Sequence, residues 1–175
     1  MKMKNSKQYK HGFTLLELMV TTAMLAVLTT ATMVLVRTSY SAWNRHEEDQ
    51  EVRQAGIAVL RHIVRHVRQA TSVTVISSAA DNSGSLSVLT ASGQTLVWDH
   101  DAGTKRVLFG VTTANQLLAT GIEELNFVAL RSDGTTPTTD VGLIHSIRAT
   151  TEVELVRPTG TEAVTASCQG WLRAW

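Results

Sequence analysis

A chain of 175 residues is long enough to bury one substantial core, and two full domains would be cramped. With 43% hydrophobic and 18% charged residues it reads as globular, which excludes a disordered chain. The formal charge of +1 gives no support to a nucleic-acid partner, and a single cysteine, Cys168, excludes an intrachain disulfide.

The small net charge hides an asymmetry. Four of the five lysines (Lys2, Lys4, Lys7, Lys10) lie in the first ten residues, with no acidic residue among them. Without residues 1–12, the remaining 12 basic residues face 15 acidic ones, a formal charge of −3. The basic leader is followed by FTLLELMVTTAMLAVLTTATMVLV, residues 13–36, whose one ionisable group is Glu17. A helix of ~20 residues at 1.5 Å per residue crosses a ~30 Å hydrocarbon core, so this run is long enough to span. Its threonines are compatible with that, because each hydroxyl can bond back to a carbonyl of the preceding turn. Lysines before the run, with only Arg37 close behind it, predict a cytoplasmic N-terminus and an external C-terminal bulk. A secretory signal peptide would have a shorter apolar stretch and a small-residue cleavage site before SYSAWNRHEEDQ, and no clear A-x-A site is found there.

Lys10-His11-Gly12-Phe13 puts a glycine between the basic leader and the apolar helix, where a peptidase at the cytoplasmic face could cut and leave the helix in place. Gly12-Phe13-Thr14-Leu15-Leu16-Glu17 resembles the processing motif of type IV prepilins and type II secretion pseudopilins. The resemblance implies cleavage between Gly12 and Phe13 by prepilin peptidase and N-methylation of Phe13. It also implies that Glu17, the fifth mature residue, pairs with the N-terminal amine of a neighbouring subunit during assembly. Physics agrees that Glu17 needs a partner, since a carboxylate at the bilayer centre costs about 2.5–3.5 kcal/mol on insertion scales. Solvation near the headgroups is the plainer alternative.

Beyond Ser39–Glu51, a helical wheel of VRQAGIAVLRHIVRHVRQA places Val52, Val59, Leu60, Ile63, Val64 and Val67 on one side. Arg53, Arg61, Arg65, Arg68, His62 and His66 fall on the other, which reads as a solvated basic face. His62 and His66 have the i,i+4 spacing of a metal pair, but no third ligand accompanies them. With no proline before Pro137 and one glycine (Gly56) between Phe13 and Gly84, one helix is predicted from about Phe13 to Gln69. Its N-terminal half is apolar all round and its C-terminal half is amphipathic.

From residue 71 the pattern changes to short strands between turns. Candidates are Ser72–Ser77, Ser85–Thr90, Thr95–Asp99, Arg106–Gly110, Ile122–Leu130 and Leu143–Val156, the last expected to bend or hold a bulge. Short connections predict antiparallel neighbours. Asp99-His100-Asp101-Ala102-Gly103 begins like a calcium loop, but Gly110 stands where an EF-hand has its bidentate glutamate, so a hairpin turn is the reading preferred. Glu123-Glu124 is a carboxylate pair whose members are expected on opposite faces of a strand, a poor arrangement for acid–base chemistry. No G-x-S-x-G, H-E-x-x-H or phosphate-cradling loop occurs. Trp98, Trp171 and Trp175 are expected to pack, and Cys168 to act as a small, partly buried hydrophobe.

Trp98–Asp101, Leu117–Phe127 and Ile144–Arg148 further resemble, in their order, elements of J-type minor pseudopilins and of related minor pilins. The J-type resemblance implies a subunit at or near the tip of a short periplasmic pseudopilus. Left open are a minor pilin of a type IV pilus, serving adhesion, motility or DNA uptake, and a membrane-tethered binding module outside any filament. The predicted fold is α+β: leader 1–12, transmembrane or filament-core helix 13–36, amphipathic continuation 37–70 and extracytoplasmic β-rich head 71–175. No catalytic residue, cofactor, metal, nucleic acid or small-molecule substrate is expected. The implied partners are prepilin peptidase, other pilin or pseudopilin subunits and lipid of the bacterial inner membrane. A truncated chain starting near residue 40 should stay soluble without detergent, because the span holds the main exposed apolar surface. Its aggregation, with the full precursor dispersed in detergent, would overturn this division.

Overall fold

The computed structural model describes residues 13–157 and 160–173. The chain divides into two compact units, Met1–His46 and Glu47–Trp175. The helix α1 (Leu15–Val67) contributes to both.

In the first unit the helix starts where the sequence supplies a cap. Thr14 Oγ1 accepts from the Glu17 backbone N–H at 3.3 Å, and the Thr14 carbonyl accepts from Leu18 N at 3.2 Å. This satisfies one of the first-turn donors that a helix leaves unpaired, in the Thr-x-x-Glu arrangement of a capping box. Along the apolar run the hydroxyls of Thr22, Thr29 and Thr32 bond to carbonyls four residues back at 3.0, 3.0 and 2.7 Å. The threonines thus present methyl groups outward with their polar atoms satisfied, as a spanning helix requires.

The second unit is built on the last three turns of α1. Gly56, Val59, Leu60, Ile63 and Val67 are its buried residues, the stripe expected from the 3.6-residue period. They share one core with two antiparallel sheets. The larger sheet is a meander in the order β1 (Ala70–Ile76), β2 (Ser85–Thr90), β3 (Thr95–Asp101), β4 (Arg106–Val111) and β5 (Gln116–Thr120). The smaller is β6 (Ile122–Leu130), β7 (Ser146–Arg157) and β8 (Gly160–Trp171), with a short 3₁₀ turn at Val141–Leu143 before β7.

Strands β5 and β8 were not expected from the sequence. β5 has five residues, none of them buried, so no alternation marks it. β8 has the alternation but carries small side chains (Ala163-Val164-Thr165-Ala166-Ser167-Cys168), because the helix approaches it closely. A Cβ on Gly170 would lie 3.1 Å from Val67 Cγ1. The bend expected in 143–156 is taken up by the 3₁₀ turn, and β7 pairs with β8 without a register shift.

Bulges set which side chains face in. In β1, register shifts fall between Ala70 and Ser72 and between Val73 and Val75. Ala70 and Val73 are buried and Ile76 packs against the core, a spacing of three in place of two. The hydroxyls of Thr71 and Thr74 bond to the Leu89 and Ser87 carbonyls, each at 3.1 Å. In β6 the shift between Ile122 and Glu124 lets both Ile122 and Leu125 point inward.

The sheets are joined where residues 79–84 lie along the start of β6. Gly84 N donates to Leu125 O at 2.7 Å, Leu125 N donates to Asn82 O at 3.0 Å, and Asn126 Nδ2 donates to Ala79 O at 2.6 Å. A Cβ on Gly84 would sit 2.5 Å from the Leu125 carbonyl oxygen, a backbone atom that cannot swing aside. Gly84→Ala is therefore expected to destabilise the head by roughly 1–3 kcal/mol. Gly142→Ala, whose Cβ would meet only Asp140 Oδ1 at 3.5 Å, should be near neutral. Thermal melts of the two variants check this; equal losses would refute it.

Candidate functional site: the N-terminal segment and the helix–sheet seam

Gly12 lies outside the described residues. Phe13, the residue after it, is 79% exposed. Glu17 is the one acidic residue of the helix's first turn, where the helix dipole favours negative charge. From Glu17 to Arg37 the helix rises by 20 residues, about 30 Å, one hydrocarbon thickness. The two charged residues thus bracket the apolar run. One helix among the described residues is long and apolar enough to cross a membrane, and the apolar window within it is unburied.

Sequence reasoning passed over Tyr40 and Trp43, which follow Arg37 and are exposed at 69% and 72%. Amphipathic aromatics just past a span are the side chains that settle in headgroup layers. Their position about one and two turns beyond the apolar run is the signal that could have found them.

The second unit places His62 and His66 differently from the solvated basic face expected. Both are half-buried, whereas Arg53, Arg61, Arg65 and Arg68 are exposed. The His62 ring lies edge-on to Phe109 with centroids 4.5 Å apart, and 4.3 Å from His66. The fully buried Trp98 donates its Nε1–H to His62 Nδ1 at 3.1 Å. A buried indole N–H needs an acceptor, and His62 of α1 provides one. These partners assign the tautomers. His62 accepts at Nδ1 and so carries its proton on Nε2, while His66 Nδ1–H donates to the His62 carbonyl at 2.8 Å. A neutral His62 held this way has no lone pair left for a metal, so the i,i+4 pair cannot chelate through both rings. No group of three or more metal-ligating side chains is found among the described residues.

The other candidates resolve locally. Asp101 accepts from Thr104 Oγ1 at 2.7 Å and from Gly103 N at 2.9 Å, which holds its carboxyl below the usual range, chiefly through the Thr104 hydroxyl. His100 is buried with Nε2 donating to Ile122 O at 2.9 Å. The segment is a hairpin end whose carboxylate is used by its own turn. Glu123 and Glu124 do not face opposite ways: the β6 bulge resets the alternation, and both border a shallow acidic depression with Glu152 and Glu154. Lys105 pairs with Glu123 and lies 3.7 Å from Glu154, and Asn82 donates to Glu124 at 2.7 Å. Trp171 packs beside Gly134, where a Cβ would approach its ring to 2.9 Å, and Trp175 lies outside the described residues. Cys168 is half-buried with its thiol against the Leu60 carbonyl, and burial pushes its pKa up.

Residues 7–33 match the family model of the prokaryotic N-terminal methylation motif. With a helix that starts at Leu15 and continues into an α+β head, the match supports a type IV pilin-like protein of the prepilin type. The motif implies processing by prepilin peptidase and assembly with other pilin subunits, and together with the apolar helix it points to anchoring in the inner membrane. No curated protein and no solved structure matches the chain.

Burial lowers the pKa of His62 below its ordinary 6.5, with the charges of His66 and Arg65 adding to the effect. The folded state therefore takes up this proton less readily than the unfolded chain. The stabilisation is fully present above about pH 6.5 and is lost as the pH falls through the lower folded value. The melting temperature should drop between pH 7.5 and 5, and His62→Gln, which keeps an acceptor for Trp98 without titrating, should flatten that drop. A wild-type melt indifferent to pH over this range would contradict the assignment.

Proposed function

We propose that the protein is a structural subunit of a filament, a minor pseudopilin of a type II secretion system, made as a precursor and anchored in the inner membrane. In this reading residues 1–12 are a cytoplasmic leader that prepilin peptidase removes between Gly12 and Phe13, and Phe13 is then N-methylated. Residues 13–36 form the membrane span and later the filament core, residues 37–70 continue the helix, and residues 71–175 form the periplasmic head. The observation that carries it is the methylation motif ending inside an exposed apolar helix of membrane length. Phe13 has little cover from the rest of the chain, which suits a residue that must enter an enzyme's active site after cleavage.

Glu17 is the assembly residue. At the mouth of the span it is solvated while the subunit waits in the membrane. When helices bundle, a neighbour's N-terminal amine replaces that solvation. The order of Trp98–Asp101, Leu117–Phe127 and Ile144–Arg148 is one that J-type minor pseudopilins share with related minor pilins, and it suits a J-type subunit near the filament tip.

Intact mass of membrane-extracted protein, with and without co-expressed prepilin peptidase, is the direct test. Loss of residues 1–12 with gain of one methyl group is expected. An uncut chain beside a processed control prepilin would refute it. Glu17→Ala should leave cleavage intact and abolish co-purification with partner subunits; a simple membrane tether would be indifferent to that change.

A further inference from the structure

The two sheets have four edges, and three are blunted. β1 carries two bulges, β5 is five residues long with a bulge of its own, and the start of β6 is bonded by the 82–84 turn. β8 is different. It is twelve residues long, pairs with β7 without a register shift, and bears no charge and no proline from Ala163 to Trp171. Unprotected edges of that length are unusual in native proteins, because they template pairing with another chain.

Beside this edge runs a groove of about 650 Å³. Ala166, Ser167, Cys168 and Gln169 border it in unbroken succession, so it follows the edge of the strand and not one face. Ile57, Leu60 and Val64 of α1 give it an apolar floor. Exposed Arg61, Arg65 and Arg68 stand along its helix side, and no acidic residue lines it. Arg61 and Arg65 are four residues apart, about 6 Å along the helix axis. Alternate side chains on one face of a strand repeat at about 6.6–6.8 Å, a close match.

We propose that the β8 edge receives an extended segment of another protein chain, one that adds as a strand and alternates apolar with acidic side chains. Its backbone would pair with the open edge, and the carboxylates on the face turned toward α1 would meet Arg61 and Arg65 in charge-assisted pairs, their methylene stems lying over the apolar floor, while the alternate apolar side chains fall on the opposite face. The site is independent of whether the filament is a pseudopilus or a pilus.

The test uses the full chain in detergent micelles and a fluorescein-labelled peptide, Thr-Val-Glu-Val-Glu-Val-Glu-Thr, followed by anisotropy. Saturable binding is expected, weakened tenfold or more by R61E/R65E, whose positions are exposed and whose fold circular dichroism can verify. The same peptide N-methylated on alternate backbone amides should bind the wild-type chain at least tenfold more weakly, a check that requires no variant. No saturable binding, equal binding of the Lys-for-Glu peptide, or indifference to backbone methylation would each overturn the proposal. So would preferential capture of a single-stranded oligonucleotide by the same arginines.

Discussion

The head depends on a single insertion: one apolar stripe of α1, turned toward two sheets that share no strand. Val59, Leu60, Ile63 and Val67 are all nearly or wholly inaccessible, and they meet side chains from both sheets in one core. A five-stranded meander and a three-stranded sheet each have one apolar face to cover, and neither can cover the other completely. The helix supplies the missing apolar surface, worth roughly 1.5–3 kcal/mol for each large side chain fully buried. Close approach to β8 follows, and with it the small residues of that strand. The ion pair of Asp49 with Arg157, which also reaches Glu162 at 3.1 Å, ties the helix to the β7–β8 hairpin at the surface. Partly exposed pairs of this kind contribute little beside the buried stripe.

The same helix is composed in two ways. Its first part has threonines whose hydroxyls are spent on their own backbone, a cap at Thr14 and a carboxylate in the first turn. Its last part has a glycine where the sheet comes near, since a Cβ on Gly56 would lie 3.3 Å from both Thr151 and Val153. Each choice of residue suits a different surrounding: one without water to bond to for the first part, a protein core for the last.

The parts legible in the sequence were those written in large apolar side chains at regular spacing. The stripe at residues 59–67 and strands β2 and β6 carry that signal, and the methylation motif carries a local one. Strand β8 was illegible because packing against a helix demanded alanine, serine, cysteine and glycine, which announce no strand. β1 broke the period of two through its bulges, and Glu123-Glu124 shared a face for the same reason. His62 was misjudged because a wheel sorts side chains by direction. What decided its environment was a tryptophan 36 residues away with one N–H to satisfy.

The tautomer imposed on His62 has a consequence for how the protein meets metal ions. In the folded head, Trp98 occupies the only lone pair of that ring, so His62 and His66 cannot grip zinc or nickel together. When the helix leaves the sheet, the indole departs, His62 regains a free nitrogen, and both imidazoles then offer one four residues apart. A transition-metal ion would then bind the opened chain better than the closed one, and by mass action it would favour opening. Two histidines at metal-pair spacing would thus make such ions act on this head as mild denaturants.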